Sequence, residues 1–253
     1  MIEGSVMDVY YDEIFKIINE IRETERENIL KAARMVADQV KADKLVYVFG
    51  PGGHSNLAAM EIFFRAGGLL HISAIINQET MLSAGALKSM QVERLPGYGK
   101  IIVEDYGIGE GDLLWVVNAY GINSATIDAA LTAKAKGAKV IGVSSVEHAS
   151  TCPADHPARH PSKQNLHDIV DCNVDCKVKM GDAVLKIDGV SQKIGALSTF
   201  ANAYAMNCIV IEAINMLANE GIEPPIWKSG NCPGGDEWNN RFIDRFKDKV
   251  RCL

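Results

Sequence analysis

Two polar turns that contain glycine carry groups able to bind a small anion. They are Gly50-Pro-Gly-Gly-His-Ser-Asn56 and Asn118-Ala-Tyr-Gly-Ile-Asn-Ser124. Each follows a short apolar run and leads into a helical pattern, so its backbone amides lie at a helix start, where the helix dipole favours negative charge. The first turn lacks the lysine of a nucleotide P-loop and the glycine spacing of a dinucleotide-binding loop. A plain tight turn is its alternative interpretation.

The candidate ligands for such an anion are backbone amides and side chains of these turns and of one further strand end. Hydroxyl, amide and imidazole groups can all donate hydrogen bonds to the oxygens of an anion. The candidates are Gly52, Gly53, His54, Ser55, Asn118, Tyr120, Gly121, Asn123, Ser144 and Ser145.

Carboxylates and histidines near strand ends are suited to proton transfer. Glu61 lies on the helix after the first turn, and Glu79 follows the second predicted strand. His148 and His160 lie beyond the fourth predicted strand. The alternative for each glutamate is a helix carboxylate without a catalytic role, which the helix dipole would stabilise in the case of Glu79. The alternative for each histidine is a solvated loop residue.

The composition indicates a globular protein with a small-molecule partner. With 253 residues, 47% of them apolar, the chain can bury one substantial core. A formal charge of −6 argues against a nucleic-acid surface, which needs clustered Lys and Arg. The N-terminus has no basic segment ahead of an apolar stretch, and no apolar run approaches ~18 residues. We therefore expect a cytoplasmic protein that is not inserted in a membrane.

The six cysteines are scattered through the chain, which is not the pattern of a disulfide framework. Cys172 and Cys176 are four residues apart and are flanked by aspartates, so a metal clip is the alternative to free thiols. Because no second pair accompanies them, we expect neither a metal nor another cofactor.

Apolar residues recur from Val9 to Val40 with the period of an amphipathic helix. They predict an N-terminal helical arm over residues 1–42, ahead of an α/β core over residues 43–220. Thr24 and Glu27 have the spacing of a capping box, which indicates two helices in the arm. The arm would pack either on a neighbouring subunit or on the sheet of its own chain.

Strand and helix patterns alternate through the core. The predicted strands cover residues 44–50, 69–76, 113–118, 139–144 and 169–174, and the predicted helices between them cover residues 55–65 and 124–136. Near-continuous apolar strands that alternate with helices indicate a five-stranded parallel sheet, covered on both faces, with flavodoxin-like strand order. In such a sheet, ligands bind beyond the carboxyl ends of the strands, where the strand order reverses.

Turn residues and apolar spacing predict the remaining elements. These are a long loop at residues 149–165, a hairpin at residues 176–190 that turns near Met180, a helix at residues 194–217, and a polar tail at residues 221–253 with a turn at residues 233–237. Gly221 and Pro224 are suited to end the helix. No linker divides the chain, so residues 1–253 are predicted to form a single domain.

The two turns, together with the third predicted strand, the helix after it and Gly137-Ala-Lys-Val-Ile-Gly-Val-Ser-Ser145, resemble the sugar isomerase (SIS) domain family. The family's second turn usually reads Ser-x-Ser-Gly-x-Thr, and Asn118, Tyr120 and Asn123 replace its serines and threonine here. Further motifs resemble a bacterial SIS group described as phosphoheptose-isomerase-like. They are Phe63-Phe-Arg-Ala-Gly-Gly68, Glu93-Arg-Leu-Pro-Gly-Tyr98, Arg159-His-Pro-Ser-Lys163, Gly181-Asp-Ala183 and Gly234-Gly-Asp-Glu237.

The resemblance implies an aldose–ketose isomerase that acts through an enediol on a phosphorylated or otherwise anionic sugar. Glu61 or Glu79 would be the base, and His160 or His148 would assist ring opening. Zinc-dependent phosphoheptose isomerases carry a histidine and a glutamate one turn apart on the helix after the first turn. This chain has Glu61 and Arg65 at that spacing, so a zinc mechanism is not expected.

The resemblance also implies a homodimer or homotetramer. Two other functions fit the same cradle of turns. One is a non-catalytic sensor of a phosphosugar, and the other is a lyase or deaminase that acts on an amino-sugar phosphate.

Overall fold

The computed structural model describes residues 5–253, and it begins with two helices, α1 (Val6–Thr24) and α2 (Arg26–Lys41). The Ser5 hydroxyl accepts a hydrogen bond from the Met7 amide and caps α1. The predicted capping box is wrong: Glu25 is the N-cap of α2, and the Thr24 hydroxyl donates to the Glu20 carbonyl. Residues 1–4 of the predicted arm lie outside the described residues.

A five-stranded parallel sheet forms the centre of the fold. Its strands are β1 (Val46–Phe49), β2 (Ile72–Ala74), β3 (Leu113–Val117), β4 (Lys139–Val143) and β5 (Cys172–Val174). Their order is β2-β1-β3-β4-β5, which confirms the predicted flavodoxin-like arrangement. The strand order reverses between β1 and β3, so this is where a ligand crevice is expected.

Within residues 5–253, eight further helices complete the fold. They are α3 (Gly53–Glu61), α4 (Ala86–Glu93), α5 (Tyr98–Asp105), α6 (Ser124–Ala135), α7 (Val146–Thr151), α8 (Leu166–Ile169), α9 (Ser198–Asn219) and α10 (Gly235–Phe246). Short 3-10 helices cover Gln78–Thr80 and Leu82–Ala84. The predicted 149–165 loop therefore starts inside α7, and α8 occupies part of the segment predicted as the fifth strand.

Helices cover both faces of the sheet, as near-continuous apolar strands require. All five residues of β3 are buried. Leu113, Trp115 and Val117 point into a core shared with α2 and α9, while Leu114 and Val116 point into a second core shared with α5 and α6. The sheet is thus held rigidly, with its carboxyl edge free to carry the turns that end β1, β3 and β4.

β2 is shorter than predicted because the residues before it bond to the C-terminal segment. The Gly67 amide donates to the Trp227 carbonyl, the Trp227 amide donates to the Gly68 carbonyl, and the Leu70 amide donates to the Pro225 carbonyl. These bonds join positions about 150 residues apart in sequence, and no local pattern reports them.

The predicted hairpin at residues 176–190 is wrong. The antiparallel pair is β6 (Ala183–Leu185) with β7 (Ile194–Ala196), so the turn lies beyond residue 185 and not near Met180. The Asp182 carboxylate accepts hydrogen bonds from the Leu197 amide and from the Ser198 amide and hydroxyl. This anchor fixes the start of α9 at Ser198, four residues after the predicted start.

The polar tail contains the helix α10, which the predicted turn at residues 233–237 did not foresee. Trp238, Phe242 and Phe246 recur every four residues on α10, and Phe246 is buried against Leu70 and Trp227. Asp236 and Glu237 in its first turn suit the helix dipole.

By length and composition α9 could cross a membrane, but 44% of its most apolar window is buried inside the fold. Ala205, Ile209 and Ala213 of α9 are fully buried and pack with residues of α2 and the sheet.

Candidate functional site

A cavity of about 250 Å³ lies beyond the carboxyl ends of β3 and β4. It is lined by Glu93, Arg94, Tyr120, Ile122, Asn123, His148, Cys152, Pro153, His156, Ala158, Met180 and Gly181. Two larger cavities lie away from this edge, one of about 370 Å³ beside α10 and one of about 410 Å³ at the opposite edge near Leu113. The 250 Å³ cavity lies at the carboxyl edge of the sheet, on the β3–β4 side of the point where the strand order reverses, and we call it the edge cavity.

Glu93 is the carboxylate of the edge cavity. It ends α4, and its side chain lies against the first turn, because a Cβ atom added to Gly52 would collide with Oε2 of Glu93. Burial raises the pKa of Glu93 to about 7, and the positive charge of Arg94 offsets only part of that rise. A carboxyl group with this pKa can exchange protons near neutral pH.

The rings of Tyr120 and His148 form part of the cavity wall, and the ring of His54 contacts this wall. The rings of Tyr120 and His148 stack with their centroids 4.3 Å apart, and the ring of His54 meets Tyr120 edge-on at 5.2 Å. Burial, together with the charges of Asp182 and Glu93, raises the pKa of Tyr120 to about 12. Tyr120 therefore stays a neutral phenol that can donate a hydrogen bond.

Both histidines of this wall are neutral at physiological pH. Burial lowers the pKa of His54 and that of His148, and the nearby charge of Asp182 opposes the shift in each. Nε2 of His54 and Nδ1 of His148 are buried and have no hydrogen-bond partner within residues 5–253. These two nitrogens are available to a ligand or to a water molecule.

The second turn is closed by its own asparagine. Oδ1 of Asn118 accepts hydrogen bonds from the amides of Tyr120 and Gly121, at 3.2 and 2.9 Å. Nδ2 of Asn118 donates to the Pro51 carbonyl and to the Ser55 hydroxyl. The two turns are brought together as the sequence predicts, but the amides that were expected to hold an anion are occupied by the Asn118 side chain.

The first turn is also covered. The Gly52 amide donates to the Thr80 carbonyl, and Asn56 donates to the same carbonyl. The side chain of Leu82 lies close to Gly53, where an added Cβ atom would meet it at 2.9 Å. Gly52, Gly53 and Ser55 therefore line the inner side of the crevice and do not face the edge cavity.

The remaining predicted ligands divide into two groups. Ser144 donates to Oδ1 of Asn173, and Ser145 donates to the Val178 carbonyl and caps α7. Asn123 lines the edge cavity, donates to the Ala158 carbonyl, and leaves its buried Oδ1 without a partner within the described chain. Only Asn123 in this set has a free polar atom at the cavity.

Neither predicted base lies in the edge cavity. Glu61 is paired with Arg65 at 3.3 Å at the end of α3, and Glu79 is paired with Lys88 at 2.7 Å. Both pairs are solvent-exposed, which gives them little energetic weight. The catalytic roles of Glu61 and Glu79 stay predictions that this geometry does not favour.

His160 lies outside the cavity wall, in contrast to His148. Its Nε2 is 3.0 Å from Oδ1 of Asp128, and its Nδ1 is 2.7 Å from the Ser162 hydroxyl. Asp128 also accepts a hydrogen bond from the Gly97 amide. Asp128 thus holds the loop of His160 and the segment after Glu93 against α6. This contact gives His160 a structural role, whereas the sequence predicted that His160 assists ring opening.

The cysteines offer no cluster for a metal. All six are free thiols, and burial raises the pKa of Cys172 and that of Cys176, the latter to about 12. Within residues 5–253, no group of three or more His, Cys, Asp or Glu side chains is arranged to hold a metal ion.

A model of the family described as "SIS domain" matches residues 9–145, which is more than half of the chain. The chain belongs to the SIS domain family. The resemblance that the two turns and the β4 segment carry is therefore confirmed, and the five-stranded sheet described above is the SIS fold of this chain.

Uncharacterised relatives match this SIS domain over nearly its whole length. The UPF0309 protein of Geobacillus thermodenitrificans is 34% identical over 248 residues, which cover 98% of both chains. The UPF0309 protein of Caldanaerobacter subterraneus is 36% identical over 251 residues, covering 98% of this chain and 100% of the relative. A solved phosphoheptose isomerase from Neisseria gonorrhoeae is 13% identical with a TM-score of 0.51, covering 84% of this chain and 97% of that chain. At this identity the likeness shows the fold alone.

The sequence analysis missed Glu93 and Arg94 as site residues. Both belong to the motif at residues 93–98, which carried part of the resemblance to the narrower bacterial group. They lie 41 and 42 positions after Gly52, beyond β2 and α4, so no spacing rule connects them to the first turn. The resemblance of this motif to the narrower bacterial group could have indicated both residues. Polar residues in a segment outside the predicted strands and helices indicate function more than packing.

Proposed function

We propose that this SIS domain isomerises an anionic sugar in the edge cavity, with Glu93 as the base. The observation that carries the proposal is the Glu93 carboxyl, which lies against Gly52 with its pKa raised to about 7. A base of aldose–ketose chemistry must accept a proton from carbon and return it to the neighbouring carbon, so a pKa near the working pH is favourable.

The proposed isomerisation moves protons within the sugar and needs no oxidant or reductant. Glu93 would take the proton from the carbon beside the carbonyl, and the electron pair of the broken C–H bond would form the double bond of an enediol. The proton would return from Glu93 to the former carbonyl carbon, while a hydroxyl proton moves from one oxygen to the other. A neutral Tyr120 would donate a hydrogen bond to the oxygen on which negative charge develops.

His148 would assist opening of the sugar ring, as the sequence predicts. Its imidazole is stacked on Tyr120 and is neutral near pH 7, so one nitrogen can accept a proton while the other donates. His54, whose ring contacts Tyr120, would bind a sugar hydroxyl through its Nε2, which has no hydrogen-bond partner within residues 5–253.

The experiment that tests the proposed class is product analysis by proton NMR. Purified protein is incubated with four- to seven-carbon sugar phosphates, sugar acids and sulfonated sugars. Ketose formed from an aldose, or the reverse, is the expected result. Saturable binding without conversion of any sugar would favour the sensor, and release of ammonia or lactate would favour the deaminase or lyase.

We propose in addition that the chain assembles as a homodimer or homotetramer. Large apolar side chains are exposed on α3 and on the segment that follows β2, which supports burial of this surface between subunits. They are Leu57, Met60, Phe64, Leu82, Leu87 and Leu95. Light scattering is expected to give two or four times the chain mass of 27.5 kDa, and a mass of 27.5 kDa would contradict the proposal.

A further inference from the structure

Arg94 is a cation at the edge cavity that forms no salt bridge with any residue from 5 to 253. It follows Glu93 at the end of α4 and lines the cavity. Its Nε is buried and has no hydrogen-bond partner within residues 5–253. A guanidinium that is partly withdrawn from water and lacks a partner is costly, so such a group is expected to have a ligand of opposite charge.

The neighbouring arginine is not available for this role. Arg159 donates hydrogen bonds to Oδ1 of Asn165 and to the carbonyls of Ala149, Cys152 and Pro153. Its donors are consumed in fixing the loop that borders the cavity. Arg159 therefore has a structural role, whereas Arg94 is open to a ligand.

Several backbone amides of the two turns are already hydrogen-bonded within the chain. Asn118 accepts the hydrogen bonds of the Tyr120 and Gly121 amides, and Glu93 places a carboxylate beside Gly52. Negative charge brought to the first turn would meet the Glu93 carboxylate and would be repelled. These contacts disfavour an anion at Gly52 and at the Tyr120 and Gly121 amides.

We infer that Arg94 binds the anionic group of the substrate, in place of the turn amides. The inference rests on the proposed function and names its specificity residue. The ligand is an oxyanion carried by a sugar, either a phosphate ester or a carboxylate, since the planar fork of a guanidinium pairs with both. The open Oδ1 of Asn123 and Nδ1 of His148 would then bind sugar hydroxyls.

The test is a calorimetric titration of the full chain with three probes of similar size. Glucose 6-phosphate carries a phosphate, glucuronate carries a carboxylate, and glucose carries neither. The variants are Arg94→Gln, which removes the charge, Arg94→Lys, which keeps it, and Lys88→Gln as the matched control. Lys88 lies on α4 and is exposed in its pair with Glu79, outside the cavity.

We expect at least one anionic probe to bind the natural chain more tightly than glucose does, and the tighter one identifies the group. Arg94→Gln should weaken that probe at least tenfold, Arg94→Lys should weaken it less, and Lys88→Gln should change it less than twofold. Equal binding of the anionic probe by Arg94→Gln and the natural chain would overturn the inference. So would binding of glucose as tightly as both anions.

A kinetic readout separates this inference from the proposed function. If the chain isomerises a sugar, Arg94→Gln should raise KM with little change in kcat, and it should move the acid limb of the pH–rate profile to higher pH, because the Arg94 charge lowers the pKa of Glu93. Isomerisation with an unchanged KM in Arg94→Gln would overturn only the Arg94 assignment. Binding that depends on Arg94 without any isomerisation would overturn only the proposed activity.

Discussion

At the scale of single residues, Glu93 lowers the stability of the fold that contains it. Its pKa is about 7 in the folded chain against 4.5 for the ordinary group, because its burial is not matched by a strong partner. A group with a raised folded pKa stabilises the fold below its unfolded pKa and loses that contribution as the pH rises through the folded value. A buried carboxyl group whose ionised form destabilises the fold is typical of a functional site.

Replacing Glu93 by glutamine should therefore stabilise the protein at alkaline pH. The expected gain at pH 8 is on the order of 3 kcal/mol, and at pH 5 it falls below about 1 kcal/mol. Thermal unfolding at the two pH values measures the difference, at about 2–4 °C for each kcal/mol in a chain of this length. Glu104→Gln, on the exposed face of α5, is the control. A gain that does not grow with pH would contradict the cause assigned to the Glu93 shift.

Removal of the Tyr120 hydroxyl should slow the reaction without loosening the fold. Tyr120→Phe keeps the ring that stacks on His148 and contacts His54, and it removes only the donor. The expected loss in kcat is about tenfold to a thousandfold, the range for one oxyanion donor, with KM nearly unchanged. Steady-state kinetics on a sugar that the NMR panel shows to be converted measures the loss, with Tyr47→Phe on β1 as the control. An unchanged kcat would show that Tyr120 only packs.

Site residues that directly follow a strand can be predicted from the sequence far better than site residues that other segments of the chain contribute. Asn118, Tyr120 and Asn123 follow β3 directly, and their place at the carboxyl edge could be predicted from the α/β alternation. What could not be predicted is that Asn118 would bond the turn amides, since that depends on its rotamer. Glu93 reaches Gly52 only through the path of the chain after β2, which local patterns do not encode.

At the scale of elements, the contact of α5 with α6 positions the segment of Glu93. α5 follows the 93–98 motif, and Gly99 near its start lies so close to α6 that an added Cβ atom would collide with backbone atoms of Ala125 and Ala129. Together with the Asp128 bond to the Gly97 amide, this contact fixes where the motif runs.

Gly99→Ala should thus destabilise the protein, although alanine is the better helix former by about 1 kcal/mol. The two helix backbones would have to separate, at a cost of about 1–3 kcal/mol or more for an overpacked contact. Urea unfolding measures the change, and Lys100→Ala, an exposed neighbour on α5, should alter it by less than about 0.5 kcal/mol. A more stable Gly99→Ala would contradict the close packing of α5 on α6.

The elements that the sequence predicts well are those with strong local patterns. β1, β3 and β4 carry continuous apolar runs and were found within one or two residues. Other elements were predicted wrongly for two reasons. Some depend on hydrogen bonds to residues far away in sequence, and one has an apolar spacing that the prediction did not take into account. Residues 67–70 bond to residues 225–227 instead of lengthening β2, and the four-residue spacing of Trp238, Phe242 and Phe246 in the tail marked α10.

At the scale of the whole molecule, the parallel sheet gathers parts of the chain that are far apart in sequence. Gly52 follows β1, Glu93 ends the α-helix α4 that comes after β2, Tyr120 follows β3, and His148 follows β4. They meet at one edge because parallel strands present their carboxyl ends together. The same edge has two turns with bonded amides and an open cavity, so the chemistry is proposed for the cavity and for two residues that line it, Glu93 and Arg94.

The most direct test of this account is exchange of substrate carbon-bound hydrogen with D₂O, followed by proton NMR. Each sugar of the panel is incubated with the natural chain, with Glu93→Gln, and with Glu61→Gln and Glu79→Gln. The account predicts loss of the C2 proton signal with the natural chain, a rate at least about a hundredfold lower with Glu93→Gln, and rates close to natural with the other two variants. Exchange that survives in Glu93→Gln and disappears in Glu61→Gln or Glu79→Gln would contradict the assignment of Glu93 as the base.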